Sequence, residues 1–315
     1  MIHDKVKIFS GSSNKPLAEK ICGLLDLPLG EVKLSRFKSG EVYVSYLEPI
    51  RTCDIFIIQS LSHPINDHFM ELLVMIDAAK RASAKTINVV IPYYGYARQE
   101  RKRAPREAIS AKLIADSLTM AGASRIITLD LHADAIQGFF NIPVDHLTAL
   151  DEISAYLKDK NIINTVVVSP DPGRAGMAEK LANYLDAQFA IMVGNPSDRA
   201  DSRGMHIVGD VEGMTPIVIK DIIDTGKTVR PAVDLLKEKG ALPCYVIASH
   251  GLFTNRALEL LDHPHIQEVA VTDSIAHPGA DTAKLTVLSM ARLIAEAIRI
   301  NTQGGSIATL FKSGL

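Results

Sequence analysis

The sequence predicts an α/β protein of two tandem domains, each a mostly parallel sheet flanked by helices. Three observations predict it. Short β-branched, apolar runs recur along the chain, each followed by a turn and a helical pattern, and that alternation builds parallel sheets through right-handed crossovers. The 315 residues exceed one ordinary domain, since domains run roughly 100–200 residues. The order of elements also repeats at about half the chain length.

In the first half, strands are predicted over Val6–Phe9, Ile55–Gln59, Ile87–Ile91 and Ile126–Leu129, with helices over Lys15–Leu25, Asn66–Arg81 and Ser110–Ala121. In the second half, strands are predicted over Thr165–Ser169, Phe189–Val193, Pro216–Lys220, Tyr245–Ala248 and Glu268–Val271, with helices over Arg174–Leu185, Thr228–Lys239 and Ala283–Arg299. Several strands are almost continuously apolar, the pattern of parallel strands covered on both faces. The repeat is plainest where Leu17-Ala18-Glu19-Lys20-Ile21 is echoed by Met177-Ala178-Glu179-Lys180-Leu181, an offset of 160 residues from Ala18 to Ala178. Gly122-Ala123 before one strand likewise matches Gly240-Ala241 before another. The boundary is expected near His146–Ser154, giving domains 1–147 and 148–315, with the last ~20 residues turned back onto the first domain.

Bulk composition excludes several classes. Hydrophobic residues make up 47% and charged residues 22%, as in a soluble globular protein. The net charge of -2 provides no global basic field for nucleic acid. Basic residues do gather at Arg98, Arg101, Lys102, Arg103 and Arg106, which marks that segment for an anionic ligand. The three cysteines, Cys22, Cys53 and Cys244, have neither zinc nor disulfide spacing. The start of the chain lacks a signal-peptide pattern, and no apolar run approaches the roughly 18 residues that span a bilayer. A cytoplasmic protein is expected.

The sharpest local motif is Ile217-Val218-Ile219-Lys220-Asp221-Ile222-Ile223-Asp224-Thr225-Gly226-Lys227-Thr228. An apolar strand enters a loop with two carboxylates, and a helix then begins. The first amides of a helix lack partners within it and, with the helix dipole, form an anion site. Gly226 lets the backbone approach a phosphate. Thr225 and Thr228 add hydroxyls, and Lys227 adds a cation. Asp221 and Asp224 suit vicinal sugar hydroxyls. A nucleotide P-loop is excluded, because its first glycine would stand at position 221. The motif resembles the phosphoribosyl-diphosphate-binding loop of type I phosphoribosyltransferases.

Other segments carry nucleotide features. Arg36-Phe37-Lys38-Ser39-Gly40-Glu41 places an aromatic, a glycine and a carboxylate in one loop. Phe37 either stacks on a base or packs in the core. Pro92-Tyr93-Tyr94-Gly95-Tyr96-Ala97-Arg98-Gln99 follows a strand end, where guanidinium groups suit polyphosphate. His132, just after one strand, and Asp171, after the corresponding strand of the other half, are candidates to hold a magnesium ion already bound to nucleotide phosphates.

Together these residues resemble the class I ribose-phosphate pyrophosphokinases along essentially the whole chain, most closely over Ser60–Arg103 and Leu129–His146. The resemblance implies two phosphoribosyltransferase type I-like domains. It implies ATP contacts from Phe37, Ser39, Gly40, Glu41, Arg98 and Gln99, Mg2+ near His132 and Asp171, and ribose 5-phosphate at Asp221 and Asp224–Thr228. It further implies a homo-oligomer, usually a hexamer, regulated by phosphate and ADP.

Three departures stand out. Where the family carries a Lys-Arg-Arg-Pro run, this chain reads Asn195-Pro196-Ser197-Asp198-Arg199-Ala200-Asp201-Ser202-Arg203; the catalytic lysine has no equivalent, and Arg199 or Arg203 is the candidate to substitute for it. The phosphoribosyl loop usually begins with two acids, and here the first is Lys220, which either binds an anion or neutralises Asp221. The Asp-(His/Ala)-Gly-Gly pattern becomes Asp171-Pro172-Gly173-Arg174. The leading expectation is an active diphosphokinase. The alternatives are a regulatory homologue that co-assembles with an active paralogue, and a nucleobase phosphoribosyltransferase.

Overall fold

A computed structural model describes residues 5–194, 204–277 and 282–310. It divides into two compact units, one of Met1–Thr148, Ser274–Ala276 and Ser289–Leu315, the other of Ala149–Asp273 and His277–Leu288.

The first unit opens with β1 (Val6–Ser10), α1 (Lys15–Leu25), β2 (Val32–Arg36), β3 (Val42–Tyr46) and β4 (Asp54–Ile58). It continues through α2 (Ile65–Arg81), β5 (Thr86–Ile91), α3 (Ser110–Ala121), β6 (Arg125–Leu129) and β7 (Val144–Leu147). Its sheet runs β1-β4-β5-β6-β7, and every pairing is parallel. Ile55, Ile57, Val89, Ile91 and Ile126 meet Leu72, Met75, Ile76, Ile114 and Leu118 of α2 and α3 in one core.

The second unit contains α4 (Leu150–Asp159), β8 (Thr165–Ser169), α5 (Ala175–Leu185), β9 (Gln188–Gly194), β10 (Met205–Val208) and β11 (Thr215–Ile223). It ends with α6 (Val229–Glu238), β12 (Cys244–Gly251), α7 (Ala257–Leu261), β13 (Ile266–Thr272) and β14 (Leu285–Leu288). Its sheet runs β10-β9-β8-β11-β12-β13-β14. Only the β9–β10 pairing is antiparallel among these described strands. The chain then returns to the first unit as α8 (Ala291–Gln303), which is held to α1 by Arg299 Nη2 donating to the Leu24 carbonyl at 3.2 Å. Asn301 donates to Asp145 at 2.8 Å.

The repeat read in the sequence has a structural counterpart. Helices α1 and α5 are both 11 residues long, 160 positions apart. Each ends at an aspartate in the left-handed region, Asp26 at φ 55° and Asp186 at φ 50°. There the cap N–H satisfies carbonyls of the last turn.

Several elements depart from expectation for identifiable reasons. The predicted helix Ala283–Arg299 divides into β14 and α8. Thr286 and Val287 are β-branched and pair with β13, and Ser289 Oγ accepts from Ala291 N at the start of α8. The hairpin β2–β3 was not predicted as strands, because its residues alternate rather than run apolar. Its Val32, Leu34, Val44 and Tyr46 pack on the core, while the intervening side chains face water. The short or amphipathic elements α4, β7, β10 and α7 were also not predicted.

Two consequences are testable. Gly11 lies against a buried network in which Gln59 donates to Glu71 at 2.7 Å and accepts from Ser13 N at 3.0 Å. A Cβ on Gly11 would sit 2.3 Å from Gln59 Oε1. Gly11→Ala therefore lowers unfolding free energy by about 1–3 kcal/mol, read from denaturant curves. In the second unit, burial holds the His277 imidazole below its ordinary 6.5, partly opposed by Asp273. Burial does the same to His263 and His265. A depressed imidazole leaves the unfolded chain binding more protons, so stability falls as pH drops below about 6.5. Thermal melts from about pH 7 to pH 5 show that fall, and His277→Phe, which keeps a ring beside Phe253, makes it shallower.

Candidate functional site

β11 is the central feature of the second unit, and all nine of its residues are buried. Seven are uncharged, which suits a strand covered on both faces. Lys220 and Asp221 are the exceptions, at 8% and 5% exposure. Buried charges persist when paired, and both of these are. Parallel pairing of β11 with β8 runs from Thr215↔Thr165 to Val218↔Val168. That register brings Lys220 and Asp221 to the same strand-end edge as the segment after β8. There Lys220 Nζ lies 3.3 Å from Asp171 Oδ2, and Arg174 Nη2 lies 2.8 Å from Asp221 Oδ2. Lys220 thus pairs with Asp171, and Arg174 with Asp221.

Beyond β11 the chain turns through the predicted phosphate loop. Gly226 adopts φ 75°, a left-handed value that disfavours any side chain. Its carbonyl accepts from Val229 N at 3.0 Å and Arg230 N at 3.1 Å, starting α6. No side chain caps this helix at Thr228. The loop is anchored from behind: Thr254 N donates to the Asp224 carbonyl at 3.0 Å, and Thr254 Oγ1 donates to Asp224 Oδ1 at 2.5 Å. Asp224, Thr225 and Thr228 are half-buried, while Lys227 is exposed. The structure thus gathers Asp171, Asp221, Asp224, Thr225, Gly226, Lys227 and Thr228 at one end of the second unit's sheet. Thr254 and Arg174 belong to this arrangement, and sequence alone did not single out their contacts.

In the first unit, Phe37, Ser39, Gly40 and Glu41 form the tip of the β2–β3 hairpin. Phe37 N and the Glu41 carbonyl close it at 2.9 Å, and Gly40 turns it at φ 95°. Phe37 is 57% exposed, its ring edge-on to Tyr43 at 5.7 Å. This removes the core-packing alternative for Phe37. The Arg98-Gln99 segment follows β5, with both side chains exposed. Gln99 accepts from Ser110 at the start of α3, and the Tyr94 hydroxyl donates to the Ala111 carbonyl at 3.0 Å. Hairpin and loop are tied to one turn of α2: Arg36 pairs with Asp67 at 3.2 Å, and the Tyr96 hydroxyl donates to Asn66. His132 is half-buried just beyond β6, in a turn where Leu131 N donates to His146 Nε2 at 2.8 Å. Arg199 and Arg203 lie outside the described residues.

A magnesium ion was predicted between His132 and Asp171. Among the described residues, no group of three or more His, Cys, Asp or Glu side chains is gathered as for a metal. At Asp171 the Lys220 ammonium engages Oδ2 at 3.3 Å and competes with a cation for that carboxylate.

Comparison with known proteins follows the same lines. Residues 6–122 match the family model for the N-terminal domain of ribose phosphate pyrophosphokinase, and residues 199–312 match the phosphoribosyl synthetase-associated domain. The chain is 46% identical over 311 residues to the ribose-phosphate pyrophosphokinase of Fusobacterium nucleatum, covering 98% of each chain. It is 47% identical over 308 residues to that of Bacillus subtilis, covering 97% of each. A crystal structure of phosphoribosylpyrophosphate synthetase from Mycobacterium smegmatis superposes with a TM-score of 0.91 at 40% identity, covering 96% of this chain and 100% of that one. Likeness along nearly the full length, in two family models, in curated relatives and in a solved structure, places this chain in the ribose-phosphate pyrophosphokinase family.

Proposed function

We propose that this chain transfers the diphosphate of ATP to the anomeric hydroxyl of ribose 5-phosphate, forming 5-phosphoribosyl diphosphate and AMP for nucleotide biosynthesis. The observation that carries the reading is the Asp224–Thr228 loop at the end of a buried strand, in a chain of this family. In this reading the second unit is the ribose 5-phosphate side and the first unit the ATP side. The 5-phosphate takes the amides of residues 225–228 at the start of α6. Asp224, steadied by Thr254, accepts from the sugar hydroxyls. Phe37 stacks on the adenine, Ser39, Gly40, Glu41 and Gln99 line the nucleotide, and Arg98 holds phosphate oxygens.

The sugar's anomeric oxygen attacks the β-phosphorus. The bond from that phosphorus to the α–β bridging oxygen breaks, AMP departs with the electron pair, and the hydroxyl proton is released. ATP enters as its magnesium complex, with His132 offered to the ion. Such an ion, when bound, offsets the charge on the transferring group. Arg199 takes the part of the missing lysine. A cytoplasmic homo-oligomer, a hexamer by family likeness, completes the proposal; light scattering of the pure chain tests the six-chain particle.

The direct test is an omission assay. AMP accumulates when both ATP and ribose 5-phosphate are present and not when either is withheld. Absence of AMP at high enzyme concentration refutes the reading.

A further inference from the structure

Charges buried at the end of β11 point to an unusual division of labour. Four side chains meet there as two ion pairs, Lys220 with Asp171 and Arg174 with Asp221. Their side chains are between 7% and 22% exposed, so water screens them weakly. Formal charge across the quartet is zero. Divalent magnesium seeks hard oxygen ligands in near-octahedral array. Lysine and arginine offer donors only, with no lone pair for a metal, and their fixed positive charge opposes a second cation at the same carboxylates. Nearby, the phosphate loop already presents backbone amides and Lys227 to an anion.

We infer that Lys220 and Arg174 neutralise the strand-end carboxylates in place of a divalent cation, so that ribose 5-phosphate binds the adjacent loop without metal. The inference rests on the proposed function, which assigns that sugar phosphate to the Asp224–Thr228 loop. Metal dependence of the overall reaction then resides with ATP alone. Lys220 and Arg174 act here as positioning residues: they fix Asp171 and Asp221 and set the local charge.

Calorimetric titration of ribose 5-phosphate into the full chain, once with excess EDTA and once with millimolar magnesium, tests this. The wild-type dissociation constant agrees within about twofold between the two buffers. The double variant Lys220→Asp, Arg174→Gly leaves uncompensated acids beside the loop. It binds at least roughly tenfold more weakly in EDTA and recovers in magnesium. If that variant does not fold, Lys220→Gln and Arg174→Gln are titrated singly for the same contrast. Wild-type affinity that falls tenfold or more in EDTA overturns the inference while leaving the loop's assignment intact. Variants as indifferent to magnesium as wild type also overturn it. No wild-type binding in either buffer sinks the proposed function, and the inference with it.

Discussion

Gly226→Val abolishes measurable binding of ribose 5-phosphate, weakening it by roughly a thousandfold or more. The effect comes from backbone conformation before any side-chain chemistry. At φ 75° a β-branched residue is strained by about 1–3 kcal/mol. A Cβ at this position would also lie 3.4 Å from the Ala257 carbonyl and from Leu260 Cβ, so the added methyls meet α7. The loop relieves both by turning its amides away from the ligand. Hydrogen bonds to a charged group contribute roughly 1.5–3 kcal/mol each, so losing three exceeds about 4 kcal/mol. Calorimetry measures the binding, and a melting curve shows that the fold survives. Lys227→Ala is the control: its side chain is exposed, and its removal costs less than about tenfold.

Arg98→Ala lowers kcat/KM for ATP by roughly a hundred- to thousandfold, with little change in ribose 5-phosphate affinity. Guanidinium groups bind phosphate oxygens bidentately, and the backbone carrying Arg98 is braced. Tyr96 is tied to Asn66, Gln99 to Ser110 and Tyr94 to the Ala111 carbonyl. A loop anchored on both sides of Arg98 loses less backbone entropy when the side chain engages its ligand. Arg98→Lys recovers only part of the loss, because an ammonium cannot reproduce the two-pronged geometry. Steady-state kinetics with each substrate varied in turn separates this from a general defect.

Much of the architecture was legible in the sequence because parallel strands buried on both faces leave continuous apolar runs. β4, β5, β8 and β11 read that way, and so did the helices between them. The proposed phosphate loop was legible for a related reason: an acid-rich turn between such a strand and a helix requires its own residues at fixed spacing. Hairpin β2–β3 was hidden because half its side chains face water. The pairing of Lys220 with Asp171 was hidden more deeply. Those residues stand 49 positions apart, and only the register of β8 against β11 brings them together. From sequence, the neighbouring Asp221 was one of two partners left open for Lys220. The fold gives Asp221 to Arg174 instead, through a second change that sequence treated as a separate departure.

Phosphorus NMR of the reaction mixture tests the central claim most directly, because diphosphoryl and phosphoryl transfer leave different phosphorus atoms on the sugar. With ATP, magnesium and ribose 5-phosphate, equal amounts of AMP and a sugar bearing a new diphosphate at C1 are predicted. Formation of ADP with a sugar bisphosphate, or an unchanged ATP spectrum at high enzyme concentration, would contradict it.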